Sequence, residues 1–196
     1  MAVSSRAGTR RPHPTRAELL AAAHRTVPDV IAPGLRILFC GINPGLYTAW
    51  AGHHFARPGN RFWPALHAGG FTPRLFDPSE EHALLPLGYG VTNIVRRASA
   101  RADELTPREL RAGAQRLTKL VERYAPRCVA ILGVSSYRVA FARPDAVLGR
   151  QPEPIGSTIA WILPNPSGLN AHYQPAHLAR LFRALKRESK RVERRK

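Results

Sequence analysis

Asparagine side chains stand where two apolar runs of the chain end. Residues 36–39 lead through Cys40, Gly41 and Ile42 into Asn43, and residues 159–163 lead through Pro164 into Asn165. Apolar runs that end in Asn, Pro and Gly are typical of buried strands that stop in a turn. Ligands bind at the carboxyl ends of strands in open α/β sheets, so we expect one site with these two segments as its walls. A third amide, Asn93, ends another apolar run, in residues 90–95.

A carboxamide neither ionises nor acts as a strong base, but it carries one acceptor and two donor hydrogens. It can therefore hold a water molecule or read the edge of a base. Aromatic rings in residues 46–59, namely Tyr47, Trp50 and Phe55, could stack on a planar heterocycle. The net charge of +17, from 30 Lys and Arg against 13 Asp and Glu, indicates a polyanionic partner. Amides, a stacking ring and a basic surface together suggest a pocket for a flipped nucleobase.

Several other classes of site are missing from the sequence. There is no phosphate-binding P-loop, no dinucleotide fingerprint after the first apolar run, no zinc-binding H-E-x-x-H and no G-x-S-x-G elbow. The few Asp and Glu fall mostly at helix starts or on helix surfaces, which argues against a two-carboxylate glycosidase. Cys40 and Cys128 lie in apolar runs as small hydrophobes and are too few for a Cys-ligated iron–sulfur cluster. We therefore expect no metal and no cofactor.

The surrounding pattern alternates strands with helices. Strands are predicted near residues 36–40, 90–95, 128–133 and 159–163, and Asn60 is expected to cap a helix over 61–68. The clearest helix begins at Thr106, another covers 135–141, and the last begins near Pro175. Residues 46–59 and 143–154 are interpreted as loops. This order predicts a mostly parallel sheet with helices on both faces.

The length of 196 residues suits one domain with tails. We expect a basic, partly disordered extension over residues 1–30, with a short helix behind Thr15 and Glu18, then one domain over 31–186 and a basic tail over 187–196. All apolar runs are far shorter than the ~20 residues that span a membrane. We expect an intracellular, cytoplasmic and monomeric protein, nucleoid-associated if the source is bacterial, and not secreted.

Three motifs occur in a fixed order: Gly-Ile-Asn-Pro-Gly-Leu at 41–46, Pro-Gly-Asn-Arg-Phe-Trp at 58–63 and Asn-Pro-Ser-Gly-Leu at 165–169. With Phe55 between the first two, they resemble the mismatch-specific uracil-DNA and thymine-DNA glycosylase family of the uracil-DNA glycosylase superfamily, from about Ile31 to Leu185. The resemblance implies a three-layer α/β/α sandwich around a mostly parallel sheet. It also implies a monofunctional glycosylase that hydrolyses the N-glycosidic bond of deoxyuridine in double-stranded DNA and leaves an abasic site. The implied partner is DNA that carries uracil or a mismatched pyrimidine, preferentially opposite guanine.

The resemblance also implies roles for residues. Asn43 would orient the attacking water, Phe55 would stack on the extruded base, and Ser99 would help to hold the water. Backbone groups of Ile42 and Phe55 would bind the pyrimidine edge, and Thr48 would lie near its C5 atom. The implied substrate-binding set is Gly41, Ile42, Thr48, His54, Phe55, Asn60, Asn93 and Ser99.

A second set is implied to enter the duplex or contact its backbone, with Leu169 as the apolar wedge. Its members are Asn165, Pro166, Ser167, Gly168, Leu169, Asn170 and His172.

The chain departs from the more active uracil-DNA glycosylases at two motif positions. Asn43 stands where they carry Asp, and Asn165 where they carry His. Without an anionic base or a cationic leaving-group stabiliser, we expect a dissociative route in which the glycosidic bond stretches first. Ala171 stands where the mismatch-specific branch has Arg, which leaves the strength of the opposite-base preference open. His53 and His54 resemble the thymine-type branch, which leaves the substrate range open.

Structural alternatives exist for three of the residues to which the resemblance assigns a role. Asn43 alone is compatible with a plain turn before Pro44, Phe55 with a core aromatic, and Leu169 with a loop anchor that packs inward. At the level of function, the alternative is a base-binding module on the same fold that cuts nothing. A hydrolase that does not act on DNA fits less well, because of the basic charge and the Leu169 loop.

Overall fold

A five-stranded sheet forms the centre of the protein, whose computed structural model describes residues 13–168, 170 and 172–193. Four of these strands run parallel to one another, and the remaining short strand pairs antiparallel at one edge. The strands are β1 Ile37–Gly41, β2 Tyr89–Asn93, β3 Cys128–Leu132, β4 Gly149–Arg150 and β5 Ile159–Leu163. Their spatial order is β2-β1-β3-β5-β4.

Helices connect these strands and cover them. The α-helices are α1 Arg16–Ala21, α2 Leu46–Ala51, α3 Phe62–Ala68, α4 Pro107–Tyr124, α5 Val134–Ala140 and α6 Pro175–Glu193. Helices of the 3-10 type lie at Ala22–His24, Pro78–Leu87 and Ala102–Glu104. None of the helices in the described part of the chain is long and apolar enough to cross a membrane.

Alternate residues of the strands enter two separate cores. In β1, Ile37 and Phe39 pack with α3 and α6, where Phe62 and Phe182 lie. Leu38 and Cys40 point to the other face and pack with α4 and α5. Both faces of the parallel strands are therefore buried, and the three-layer α/β/α sandwich with a mostly parallel sheet is confirmed.

The strand order also shows where a ligand should bind. From β1 the chain moves to β2 on one side, and then crosses to β3 on the other. The direction of winding thus reverses beside β1. The chain leaves the ends of β1 and β3, which are neighbours in the sheet, toward opposite faces. Such reversals leave a crevice at the carboxyl ends of the strands. In this protein the crevice lies beside Gly41, the last residue of β1.

Two segments interpreted as loops contain regular structure. Residues 46–51 form α2, which begins after Gly45 and ends at Gly52, whose φ of 75° only glycine adopts readily. The Pro-rich segment 143–154 contains β4, because residues 149–150 complete an edge of the sheet against β5. Both elements depend on packing against distant parts of the chain, which local composition does not reveal. In addition, Asn60 accepts a hydrogen bond from the Phe62 N–H at 2.9 Å, but helix α3 begins one residue later than expected.

Candidate active site

A cavity of about 390 Å³ opens at the carboxyl ends of the parallel strands. The first motif, the ends of β2 and β3 and the segment after β5 all reach it. Every residue predicted to contact the base or the water lines this one cavity: Gly41, Ile42, Asn43, Thr48, His54, Phe55, Asn60, Asn93 and Ser99. These residues come from segments up to 58 positions apart in the sequence, so it is the sheet that brings them together.

Asn43 stands at the wall of the cavity with its amide held from one side. Its Nδ2 donates to the carbonyls of Pro44 (3.2 Å) and Arg97 (3.1 Å) and to the hydroxyl of Ser99 (2.8 Å). Within the described residues no donor pairs with Oδ1. The nitrogen is therefore saturated, and the oxygen is the group that remains to accept a hydrogen bond from a water molecule.

Ser99 is buried behind Asn43. Its hydroxyl donates to the Arg101 carbonyl at 2.6 Å, so its oxygen acts as the acceptor toward Asn43. The backbone N–H of Ser99 donates to the Pro44 carbonyl at 3.2 Å. This ties the segment that carries Ser99 to the first motif. In this structure Ser99 thus contacts the predicted water-binding amide.

Phe55 has a backbone conformation that is unusual for a bulky residue. Its φ is 55°, in the left-handed region that non-glycine residues rarely adopt. Its ring stacks on Phe62 with centroids 4.1 Å apart and an interplanar angle of 26°. No acceptor in the described chain pairs with its backbone N–H. The strained turn therefore offers both a ring and an N–H group beside the cavity.

His54 is a buried ring between two hydrogen-bonding groups. Its Nε2 lies 3.0 Å from the Pro28 carbonyl, and its Nδ1 lies 3.3 Å from Nδ2 of Asn93. Burial lowers the pKa of His54 below its ordinary value, against the opposing effect of the Glu81 carboxylate. A carbonyl can only accept, so Nε2 carries the hydrogen and the neutral Nδ1 accepts from Asn93.

Glu81 is a residue near this site that the sequence reasoning missed. It belongs to the 3-10 helix Pro78–Leu87 and is only 3 % exposed. One carboxylate oxygen accepts from the His54 N–H at 2.7 Å, and the other lies 3.1 Å from Nδ1 of His53. The signal in the sequence was the pair of adjacent histidines, since a buried histidine pair needs a polar partner. Nothing in the residues around Glu81 identifies it as that partner.

The backbone of Asn93 is held by a second network. Arg116 on α4 donates to the Asn93 carbonyl and forms an ion pair with Asp29 at 3.3 Å. Asp29 in turn accepts from the Thr92 hydroxyl at 2.5 Å. This charged group sits behind the end of β2 and fixes the backbone from which the Asn93 side chain projects.

Gly41 and Thr48 are two small residues that line the cavity. A β-carbon on Gly41 would overlap Oδ1 of Asn93 and stand 3.1 Å from Cζ of Phe55. Glycine is therefore required where these two side chains approach β1. Thr48, on α2, is buried and also lines the cavity.

The residues of the motif at 165–169 and those that follow it divide between the cavity and its support. Asn165, Ser167 and Asn170 line the cavity, whereas Pro166 and Gly168 do not. His172 lines a neighbouring cavity of about 480 Å³ that shares Asn165 and Asn170 with the first. The predicted wedge, Leu169, lies outside the described residues, as does Ala171.

Arg61 connects the motif at 165–169 to the motif at 58–63, a role that the sequence did not indicate. Its backbone N–H donates to the Pro166 carbonyl at 2.9 Å. Its guanidinium donates to the carbonyls of Gly168 (3.3 Å), Asn170 (3.1 Å) and Tyr173 (2.5 Å). One side chain therefore holds the loop after β5 against the segment that carries Asn60.

Charged side chains at the cavity are Arg57, Arg101 and Asp103. Arg101 and Asp103 form an exposed ion pair with each other. Across the described ranges no group of three or more His, Cys, Asp or Glu could hold a metal ion. Around Asn43 itself the groups are backbone carbonyls and the Ser99 hydroxyl.

Comparison with known proteins agrees with this architecture. The model of the Uracil DNA glycosylase superfamily matches residues 28–186. A solution NMR structure of a "putative Uracil DNA glycosylase" from Methanosarcina acetivorans has a similar fold, with a TM-score of 0.55 and 19% sequence identity. The match covers 83% of this chain and 98% of that one. Because the family model spans most of the sequence, this chain belongs to the uracil DNA glycosylase superfamily, and this membership indicates a DNA glycosylase activity of the uracil-DNA glycosylase type.

Proposed function

We propose that this protein is a monofunctional DNA N-glycosylase that removes uracil, and other mismatched pyrimidines, from double-stranded DNA, preferentially opposite guanine. The observation that carries the proposal is the held amide of Asn43 at the wall of a cavity that also contains Phe55. An amide whose nitrogen is saturated and whose oxygen is free is suited to orient a water molecule.

The proposed reaction begins with extrusion of the nucleotide into the cavity, where the base stacks on Phe55. The glycosidic bond stretches first, the sugar develops oxocarbenium character, and the base leaves as an anion. The unpaired N–H of Phe55 supports this step, because a fixed donor stabilises charge that develops on a pyrimidine oxygen. Water held by Oδ1 of Asn43 then adds to the sugar carbon and loses a proton to the departed base anion, which leaves a hydroxyl on the abasic sugar and a neutral free base.

The neutral amide of Asn43 supports the dissociative order. An amide is a poor base, so it does not generate hydroxide before the bond breaks. Uracil is a better leaving group than cytosine, and leaving-group quality therefore contributes to selectivity. Extrusion costs a few kcal/mol and least for a mispaired base, which favours uracil opposite guanine over uracil opposite adenine.

The proposed partner is double-stranded DNA, bound by a monomer. The formal charge of +17 supports a polyanionic partner. Binding that depends on Lys and Arg contacts with phosphates weakens steeply as salt concentration rises. No cofactor is invoked, because each step of the proposed reaction uses side-chain or backbone groups of the chain.

The test is single-turnover base release from duplexes with uracil or thymine opposite guanine or adenine, scored by strand scission after alkali. Wild type should release uracil, and Asn43→Ala should be slower by about 10²-fold while DNA affinity stays unchanged. Gln115→Ala, which removes an exposed amide on α4, is the matched control and should behave as wild type.

Two results would count against the proposal. Equal rates on G·U and A·U duplexes would remove the mismatch preference. Absence of base release by the wild type, with DNA binding intact, would favour a base-binding module that does not cut.

A further inference from the structure

Glu81 is a buried carboxylate whose described partners all lie in one dipeptide. Its two oxygens meet the ring of His53 and the backbone N–H of His54, at 3.1 and 2.7 Å. A carboxylate that leaves water is costly unless both oxygens accept hydrogen bonds. The pairing therefore fixes the 3-10 helix Pro78–Leu87 and the His53-His54 backbone relative to each other.

His54 passes this constraint to Asn93. The Pro28 carbonyl fixes the hydrogen of His54 on Nε2, and Nδ1 is left as an acceptor 3.3 Å from Asn93. The opposite orientation of the amide would bring Oδ1 of Asn93 against Nδ1, so that two acceptors would face each other. The Asn93 amide is therefore held in one of its two orientations.

The direction of this amide matters because of what the cavity presents to a base. With Nδ2 directed to His54, Oδ1 of Asn93 lies against Gly41 beside the ring of Phe55. At ring positions 3 and 4, uracil presents a donor and then an acceptor, whereas cytosine presents an acceptor and then a donor. A locked amide fits one of these two edges, and an amide free to flip fits both.

We infer that Glu81 is a positioning residue that sets the base preference of the cavity, because it holds His54 where His54 locks the Asn93 amide. The inference rests on the proposed function, since it assumes that a pyrimidine occupies the cavity. Glu81 does not touch the base, and its effect passes through the hydrogen bonds from His54 to Asn93.

The test is equilibrium binding to duplexes with a non-cleavable 2′-fluoroarabino analogue of deoxyuridine or of deoxycytidine opposite an abasic-site analogue. Neither base is paired in these duplexes. The cost of flipping a given base is the same for every protein variant, so it cancels when two variants are compared. The wild type should prefer uracil. Glu81→Ala should reduce the uracil-to-cytosine affinity ratio by roughly three- to tenfold, the value of one hydrogen bond.

Matched variants separate positioning from general damage. Glu81→Gln keeps an oxygen for the His54 N–H, so it should restore the ratio. Glu122→Gln, an exposed acid on α4, should leave the ratio unchanged. If Glu81→Ala fails to fold by circular dichroism, His54→Phe replaces it, because it keeps a ring but removes the acceptor for Asn93.

The outcomes of this experiment are distinguishable from failure of the proposed function. An unchanged ratio in folded Glu81→Ala, or in His54→Phe where it is used, overturns the inference. Equal losses of affinity for the two bases would also overturn the inference, because they would show a structural effect without a change in base preference. A wild type that prefers uracil in binding yet releases none from a cleavable duplex overturns the proposed function and leaves the inference standing.

Discussion

The hydroxyl of Ser99 accepts a hydrogen bond from the Asn43 amide at 2.8 Å and donates its own hydrogen to the Arg101 carbonyl at 2.6 Å. The second bond fixes the direction of the first, because a hydroxyl has a single hydrogen to donate. Ser99 thereby holds the nitrogen of Asn43 in a hydrogen bond and leaves its oxygen available for water. Its role in this structure is to orient the amide.

Ser99→Ala should slow base release with little effect on DNA affinity. It removes one acceptor from Nδ2 of Asn43, and the value of a hydrogen bond predicts a rate about three- to tenfold lower. Single-turnover rates on a G·U duplex measure this effect. Ser157→Ala, at an exposed serine, is the control, and a wild-type rate for Ser99→Ala would contradict the orienting role.

Asn43→Asp should be destabilising, although it supplies a charged base. The carboxylate oxygen that replaces Nδ2 would face the carbonyls of Pro44 and Arg97, which are also acceptors. Two acceptor pairs in place of two hydrogen bonds should cost about 1–3 kcal/mol. The free energy of unfolding from denaturant titration at pH 7.5 measures the loss, with Asn43→Ala for comparison. A variant as stable as wild type would show that the surroundings of Asn43 do not select an amide.

Gly41→Ala should weaken base binding and base release. The added methyl group would displace Oδ1 of Asn93 and crowd the Phe55 ring, which stands 3.1 Å from its position. We expect a rate at least tenfold lower, because displaced groups no longer meet the base in the required geometry. Gly45→Ala is the matched control, since a β-carbon there meets nothing within 4 Å. Equal rates for the two variants would contradict the packing argument.

The free energy of unfolding should fall as the pH drops below about 6.5, in part because of His54. Burial lowers the pKa of His54 in the folded protein, so the unfolded chain takes up the proton first. The contribution of His54 to stability is therefore fully present above its pKa in the unfolded chain. That contribution is lost as the pH falls toward its lower pKa in the folded protein. Glu81 and Asp29 oppose this shift by attraction, and His53 adds to it by repulsion.

Denaturant titrations of wild type and His54→Gln at pH 7.5, 6.5 and 5.5 test this expectation. The wild-type curve should be the steeper of the two in the acidic range, because the variant lacks the titrating ring. His24→Gln, at an exposed histidine, should run parallel to wild type. Parallel curves for wild type and His54→Gln would show that His54 titrates alike in the folded and unfolded states.

The strands and long helices could be predicted because their signals are local. The strand at Ile159–Leu163 and the helix start at Pro175 were predicted as observed, from an apolar run and from helical spacing. Helix α2 was wrongly interpreted as a loop because its six residues lie between Gly-rich segments. Its place is decided by packing against α1 and the 3-10 helix Ala22–His24, which follow from tertiary structure.

Glu81 shows why part of the site could not be predicted. It directly follows the capping box formed by Asp77 and Glu80, a pattern typical of an exposed helix start. Its carboxylate is buried because His53 and His54, some 27 residues earlier, fold over it. Sequence spacing carries no information about that contact.

The sequence by itself determined the alternation of strands and helices, the superfamily motifs and the positions of the amides at strand ends. These are properties of neighbouring residues, since periodicity and turn chemistry act over a few positions. The tertiary structure alone decided which way the amides of Asn43 and Asn93 face. The partners that orient them, Ser99 and His54, are 56 and 39 residues away, and only the closed sheet brings them within hydrogen-bond distance.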